Sequence, residues 1–444
     1  MIAPDRFAAA HPELGRANRL LVGYSGGLDS TVLLHLVRHG FPDATVVAIH
    51  VNHGLSPRAG NWQRHCASLC ARWGVPLVAE SVALSPATGV EAAARAARYA
   101  VFERHLGAGD LLLQAHHADD QAETVLFRLV RGAGPRGVAG IPASRALGAG
   151  RIVRPLLEHR RAELEHYARE RGLSWIDDES NSEARFDRNF LRLDVLPLLL
   201  ERWPHAVAGL SASAGWCRDS DALLADLARE DLARAGERPE RLGWSLDLER
   251  LADLAPRRRG NLVRGWARWR ALPLPGREAL SALARELLAA RPDGNPEVRW
   301  PGASLRRHAG RLYLLPDIPA TPLEPLLWPD LSQPLALPGA FELRATPDPL
   351  GPCLLPEGAA LAVHWRRGGE RCTPGGRHHS RPVKKLFQES NLEPWLRPHV
   401  PLVYCGGQLV AAGDLWVCEP FAASADTAGD CRWRFQWLRV DRSR

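Results

Sequence analysis

Lysine is almost missing from this chain: of 57 Lys plus Arg, only Lys384 and Lys385 are lysines. Positive charge is therefore carried by arginine, whose flat two-pronged guanidinium can hold phosphate through paired donors. An arginine-, alanine- and leucine-rich bias also follows from GC-rich coding, so it identifies no partner by itself. None of the eight cysteines forms a C-x-x-C pair, and only Cys66 and Cys70 lie one helical turn apart. The spacing predicts free thiols in a reducing compartment rather than a disulfide framework. No G-x-x-x-x-G-K-[ST] occurs, which excludes the P-loop NTPases. No run of about 18 apolar residues is found, so no membrane-spanning helix is expected. The first twenty residues, with Pro4, Asp5 and Glu13, contain no apolar signal core. A cytoplasmic protein is expected. Internal repeats and low-complexity tails are also missing.

What is present is the composition of a globular protein, with 45% hydrophobic and 24% charged residues over 444 positions. At about 150 residues per domain the length suggests roughly three domains. A net charge of +7 and a pI near 9.2 favour association with polyanions, although solubility alone accounts for them equally well. Strands are predicted at residues 20–24, 45–49, 77–79 and 111–113, with another at 152–157. Helices are predicted between them, at 91–106 and 119–130 among others. Strands alternating with helices argue for a doubly wound parallel sheet. The alternation stops near Trp203-Pro204. Residues 211–290 read as mainly helical, with Leu280, Leu283, Leu287 and Leu288 on one face. Short apolar runs broken by Gly and Pro follow. The expected architecture is α/β: an N-terminal doubly wound parallel sheet over 1–205, a mainly helical domain over 206–310, a proline-rich connector over 311–345 and a small, mostly β domain over 346–444.

Ser25-Gly26-Gly27-Leu28-Asp29-Ser30 lies between the first predicted strand and an amphipathic helix. Adjacent glycines let the backbone approach a ligand closely, and the loop amides with the next helix N-terminus form an anion nest. Asp29 would repel phosphate unless it holds Mg²⁺. Ligands of open parallel sheets bind beyond the carboxyl ends of the strands. Two further polar clusters fall at that edge: His50-Val51-Asn52-His53-Gly54 and His116-His117-Ala118-Asp119-Asp120-Gln121-Ala122-Glu123-Thr124. Asp119, Asp120 and Glu123 are spaced to fall near one helix face, where a helix N-terminus favours ionised carboxylates. A metal hydrolase built from His50, His53, His116, Asp119 and Asp120 is a rival reading, but it leaves the 25–30 loop without a role. Gly132-Ala133-Gly134-Pro135-Arg136-Gly137 matches G-x-G-x-x-G yet follows a predicted helix, so a flexible loop is expected rather than a dinucleotide site.

The 25–30 loop resembles the pyrophosphatase loop of the N-type ATP pyrophosphatases, which split ATP between the α and β phosphates and transfer AMP to an oxygen. Longer stretches are similar to one family, the tRNA(Ile)-lysidine synthetases. These are residues 50–55, the H-H-x-D-D-Q-x-E-T core within 115–134, Arg154-Pro155-Leu156-Leu157, residues 175–181, Arg188-Asn189-Phe190-Leu191-Arg192, Val195-Leu196-Pro197, and, near the other end, Gly368-Gly369-Glu370, residues 384–389 and Pro394-Trp395. The resemblance is strong over 20–200, thin in the middle and returns over 365–417, as in the longer form with two extra C-terminal domains. It implies that ATP adenylates the C2 oxygen of the wobble cytidine in a tRNA(Ile) with a C-A-U anticodon. The amine of free lysine then displaces AMP to leave lysidine. By the same resemblance Ser25, Gly26, Gly27, Leu28, Asp29, Ser30 and His50 hold ATP, Asp29 and Asp119 are candidate Mg²⁺ ligands, and Asp119 and Glu123 orient metal or the lysine amine. His116, Arg95 and Arg192 stand near the reacting base or phosphate. Oligomeric state stays open, a homodimer included.

The later domains would grip tRNA. Arg257, Arg264 and Arg268 share one helical stripe opposite Leu262, Trp266 and Trp269, a pattern that also fits a solvated face over a core. Arg366, Arg367, Arg371, Arg377, Arg381, Lys384 and Lys385 form a denser basic run suited to RNA. The alternatives are another tRNA-modifying enzyme of the same fold, such as a thiolase, a small-molecule synthetase, and a non-catalytic tRNA-binding protein. The missing C-x-x-C counts against sulfur chemistry, the basic run and the absence of an evident glutaminase domain against a small-molecule synthetase, and the intact acidic and glycine motifs against a dead site.

Overall fold

Leu20, Leu21 and Val22 are all buried, as expected for a central parallel strand covered on both faces. This strand, β1 (Leu20–Gly23), pairs in parallel with β2 (Val46–Asn52), Leu20 opposite Val46, and on its other side with β4 (Leu111–Leu113), Leu20 opposite Leu111. β3 (Leu77–Ser81) flanks β2. β5 (Ser144–Leu147) and β6 (Gly150–Val153) form a hairpin whose second strand joins β4 in parallel. The sheet order is β3-β2-β1-β4-β6-β5. The chain therefore reverses direction of build between β1 and β4, the switch point at which open α/β sheets bind ligands. The computed structural model describes residues 2–54, 58–82, 90–177, 187–289, 291, 294–423 and 432–440. Leu55 and the 178–181 part of the family-like stretches lie outside them.

The helices of this part are α1 (Pro4–Ala10), α2 (Leu28–Gly40), α3 (Ala59–Arg72), α4 (Val90–His105), α5 (Ala118–Val130), α6 (Pro135–Val138) and α7 (Arg161–Glu170). α2 buries Val32, Leu33, Leu36 and Val37, the face that its spacing predicts. α8 (Asp187–Phe190) widens into a π-turn over Leu191–Val195 and continues as α9 (Leu196–Arg202). Two sequence expectations change here. The strand expected over 152–157 is β6 and ends at Val153, and β5 was not expected because its polar Ser144-Arg145 start shows no strand pattern. The G-x-G-x-x-G segment is a helical turn after α5, held by Arg128 donating to the carbonyls of Gly137 and Gly140.

The chain divides into two compact units, 1–223 and 224–444, with α10 (Ala206–Arg234) spanning the division. Unit two opens with helices, α11 (Leu248–Ala252), α12 (Pro256–Trp269) and α13 (Arg277–Ala282), as the periodicity predicts. They pack on a five-stranded antiparallel sheet that the sequence did not announce, since its strands are short and interleaved with arginine: Arg238–Pro239, Trp244–Asp247, Arg311–Pro316, Ala303–His308 and Glu297–Trp300, in spatial order. The expected boundary at 310/311 falls inside the hairpin that pairs His308 with Arg311. The expected connector is likewise structured, because its prolines punctuate strands rather than replace them: Leu326–Trp328 and Leu335–Leu337 enter the C-terminal sheets. Those two sheets, of five and four strands, share one core in which Trp328 meets Phe435 and Phe341 meets Trp437. The expectation of free thiols is corrected at one place. Cys372 and Cys418, 46 residues apart, are disulfide-bonded, because the backbone bridge between Pro374 and Cys418 brings their strands side by side.

Candidate active site

The loop after β1 is built from backbone up. Gly26 has φ +85°, and a Cβ there would lie 2.7 Å from Cys66 Sγ and 2.9 Å from Ile176 Cδ1. Its carbonyl accepts from the Ile176 N–H at 2.9 Å. The Ser25 and Ser30 hydroxyls are 3.0 Å apart, the Gly27 N–H donates to Ser25 Oγ, and Ser30 Oγ donates to the Gly27 carbonyl. The loop is thus closed on itself around the start of α2, with Leu28 buried beneath it. His50, at the end of β2, donates from Nδ1 to the Tyr24 carbonyl at 3.0 Å. It braces the loop from behind, and burial lowers its pKa.

α5 begins opposite this loop. His117 caps it: the Asp120 N–H donates to His117 Nδ1 at 3.3 Å and the His117 N–H to Asp120 Oδ2 at 3.0 Å, the reciprocal pattern of a capping box. His117 Nε2 then faces Asp29 Oδ2 at 3.7 Å and Asp120 Oδ2 at 3.5 Å. The phosphate loop and the acidic helix are therefore in contact through His117. Asp29 keeps one oxygen, Oδ1, buried without a partner. Burial pushes its carboxyl pKa up, with Asp120 adding to the rise while His117, Arg161 and Arg192 oppose it. That orphaned oxygen beside a phosphate loop suits a divalent cation, since Mg²⁺ commonly takes one or two carboxylates and completes its shell with phosphate and water.

The other carboxylates are already engaged. Asp119 accepts from Arg160 Nε and Nη2 and from the Arg161 N–H. Burial opposes its ionisation, but Arg160 and the Arg161 amide hold its pKa below the usual carboxylate range. Glu123, fully buried, accepts from Arg192 Nε at 2.6 Å and Arg188 Nε at 2.9 Å. Both also reach Asp120 Oδ1, Arg188 at 2.8 Å and Arg192 at 3.2 Å. Asp119 and Glu123, expected to orient metal or the lysine amine, have their oxygens on arginines at the start of α7, in α8 and in the π-turn after it. His116, three residues past β4, accepts at Nδ1 from Arg154 Nε at 3.2 Å. Arg95, on α4, lies near Tyr99, its Nη2 3.4 Å from the hydroxyl. The hydrolase ligand set is not assembled, since His50 is turned to Tyr24, His116 to Arg154 and Asp119 to Arg160. Sequence reasoning missed the roles of His117, Arg160 and Arg154. His117 carried a local signal, three residues before Asp120 at a helix start, and Arg154 opens the family-like stretch 154–157.

In unit two, Arg257 and Arg264 are exposed on α12 opposite buried Leu262 and Trp266, and the Arg268 guanidinium lies 5.8 Å from the Trp269 ring. Lys384 and Lys385 are exposed at the start of the helix Val383–Glu389. Arg377 and Arg381 are not free charges, because both pair with Glu389.

A glycine loop and an acidic helix face each other across the switch point of a parallel sheet, and the match of this part to the PP-loop domain family makes it an ATP-using α/β enzyme. The PP-loop domain family matches residues 5–199, the TilS substrate binding domain 246–313 and the TilS substrate C-terminal domain 361–437. The chain is 42% identical to the tRNA(Ile)-lysidine synthase of Serratia proteamaculans, over 96% of this chain and 97% of that one. It is 37% identical to that of Coxiella burnetii, over 97% and 96%. The chain belongs to the tRNA(Ile)-lysidine synthase family.

Proposed function

We propose that this chain ligates free lysine to C2 of the wobble cytidine of a tRNA(Ile) with a C-A-U anticodon. The observation that carries the reading is the contact of Asp29 with the acidic helix through His117, in a chain that matches tRNA(Ile)-lysidine synthases end to end. In the first step the cytidine O2 attacks the α-phosphorus of ATP and pyrophosphate leaves. In the second the lysine amine attacks C2, AMP leaves with O2, and the nitrogen loses a proton. No enzyme nucleophile is required.

The loop 25–30 holds the phosphates with backbone N–H groups and the Ser25 and Ser30 hydroxyls. Mg²⁺ at Asp29 would offset phosphate charge. Asp119 and Glu123 act indirectly, by fixing Arg160, Arg188 and Arg192 at the rim, where Arg192 and Arg95 can meet phosphate. Burial opposes ionisation of Asp120, but His117, Arg188 and His116 hold its pKa below the usual carboxylate range. Arg257, Arg264, Arg268, Lys384 and Lys385 supply RNA contacts, and Arg377 joins them if Glu389 is displaced. ATP, tRNA and free lysine as substrates place the activity in the cytoplasm.

The test mixes purified protein, Mg-ATP, radiolabelled lysine and a tRNA(Ile) transcript with a C-A-U anticodon, beside a transcript with uridine at the wobble position. Label should enter only the cytidine transcript, with AMP and pyrophosphate released. Pyrophosphate release without lysine incorporation sends the reading to another nucleophile, and no ATP cleavage with any tRNA favours a binding protein.

A further inference from the structure

Arg154, just after β6, is only 4% exposed, and each of its donor groups is engaged. Nη1 donates to the Pro142 carbonyl at 2.8 Å, Nη2 to Gln114 Oε1 at 2.9 Å and Nε to His116 Nδ1 at 3.2 Å. Gln114 is fixed in turn. Its N–H donates to the Val153 carbonyl, and its Oε1 also accepts from the Tyr99 hydroxyl at 3.3 Å. The Tyr99 ring has two guanidiniums near it, Arg145 at 4.7 Å and Arg95 at 5.1 Å from its centroid. A chain of side chains from α4 and from the segments just after β4 and β6 therefore converges on one nitrogen of His116.

A guanidinium has donors and no acceptor. The His116 nitrogen that faces Arg154 must then present its lone pair, and a neutral imidazole carries its proton on Nε2. We infer that Arg154 is a positioning residue that fixes His116 as the neutral Nε2–H tautomer, so that His116 serves the proposed AMP transfer as a hydrogen-bond donor to an oxygen gaining negative charge and not as a proton acceptor. The inference rests on the function proposed above for its acceptor, but its tautomer is a property of the protein alone.

The surroundings agree. Burial opposes charge on His116, Asp120 favours it, and Arg154, Arg188 and Arg95 oppose it, which together push the imidazole down to about 3. A neutral imidazole gives up no proton and needs none back when it stabilises developing charge. The adjacent His117 is restricted in the same way, with Nδ1 occupied by the Asp120 N–H. Neither histidine of the pair then offers a lone pair to the lysine ammonium.

Two measurements test this. The first is nitrogen-15 NMR of histidine-labelled full-length protein from about pH 5.5 to 8, with His116→Gln assigning the resonance. The His116 pattern should remain that of the Nε2–H tautomer without titrating; a midpoint near the ordinary value of about 6.5, or an Nδ1–H pattern, overturns the inference. The second is tRNA-dependent pyrophosphate release. Glutamine keeps an N–H donor and has no basic nitrogen, so His116→Gln should retain most of kcat while His116→Ala loses ~10²–10³-fold, the range for removing one such donor. Equal losses in the two variants overturn the donor role. Arg154→Met should let the Nδ1–H tautomer of His116 appear in the spectrum and lower kcat at unchanged KM for ATP, and Arg154→Lys should reverse part of this. Should Arg154→Met fail to fold, the wild-type tautomer and the Gln–Ala pair decide. A chain that makes no lysidine but shows the fixed tautomer removes the proposed reaction and leaves the positioning role.

Discussion

The two glycines of the phosphate loop are not equivalent. Gly26 needs its positive φ and has Cys66 and Ile176 against the place of a Cβ, whereas Gly27 has ordinary φ and nothing nearer than 3.5 Å. Gly26→Ala should therefore cost ~1–3 kcal/mol of stability and abolish Mg-ATP binding, while Gly27→Ala should melt near wild type. Thermal melts with and without Mg-ATP check both, and equal behaviour of the two variants would contradict the loop geometry. Asp29→Ala should fold and lose pyrophosphate release by at least ~10²-fold, as expected for an electrostatic group at the reacting phosphates. A variant with normal turnover would remove Asp29 from the site. At this scale the motif Ser25 to Ser30 was legible because a strand, two glycines and a helix start are all local. The asymmetry between the glycines was not legible, since Cys66 and Ile176 reach the loop only through the fold. The same holds for Arg154, which no spacing links to His116.

Among the elements, α5 and the segment from α8 to α9 depend on each other through charge. Glu123 is fully buried, and among the described residues its oxygens accept from Arg188 and Arg192. Replacing both arginines by alanine leaves a buried carboxylate without donors, a change that typically costs ~3–5 kcal/mol. Urea unfolding should show that loss, and adding Glu123→Gln to the double variant should recover a large part of it. No recovery would mean that the arginines act through packing. Asp119 links α5 to α7 in a way that pH can read. Its folded pKa is below the ordinary value, against the effect of burial, because Arg160 and the Arg161 amide favour the carboxylate. Its stabilisation is therefore complete above the unfolded value of about 4 and is lost as pH falls through the lower folded value. Arg160→Gln should raise the acid-unfolding midpoint, and an unchanged midpoint would count against the pair. The parallel sheet was legible because buried strands read as continuous apolar runs. β5 and the first sheet of unit two were not, because short strands that carry Arg238, Arg299, Arg306 or Arg311 pair through backbone groups which leave no mark on the side-chain pattern.

For the whole molecule the net charge of +7 is less informative than where charge is left unneutralised. The basic run near the C-terminal end looked uniform in sequence. In the fold Arg377 and Arg381 share Glu389, and Arg371 is turned to Ser380, while Lys384 and Lys385 project from an exposed helix start. Folding thus separates exposed lysines from arginines that hold the domain. Phosphate contacts release counterions, so each one lost should flatten the slope of log affinity against log salt by ~0.7–0.9. Lys384→Gln with Lys385→Gln should flatten it by ~1.4–1.8 if both touch phosphate. Arg377→Gln should change it less, since the loss also frees Glu389. Arg264→Gln on α12 should resemble a single lysine change. Because these residues lie in unit two and the phosphate loop in unit one, kcat at saturating tRNA should stay near wild type in each variant while KM for tRNA rises. Filter binding of a tRNA(Ile) transcript from about 50 to 200 mM salt, beside steady-state pyrophosphate release, measures both quantities. An unchanged slope for the lysine pair would move the RNA contact elsewhere. A fall in kcat at saturating tRNA would show that those lysines also bear on the chemistry in unit one.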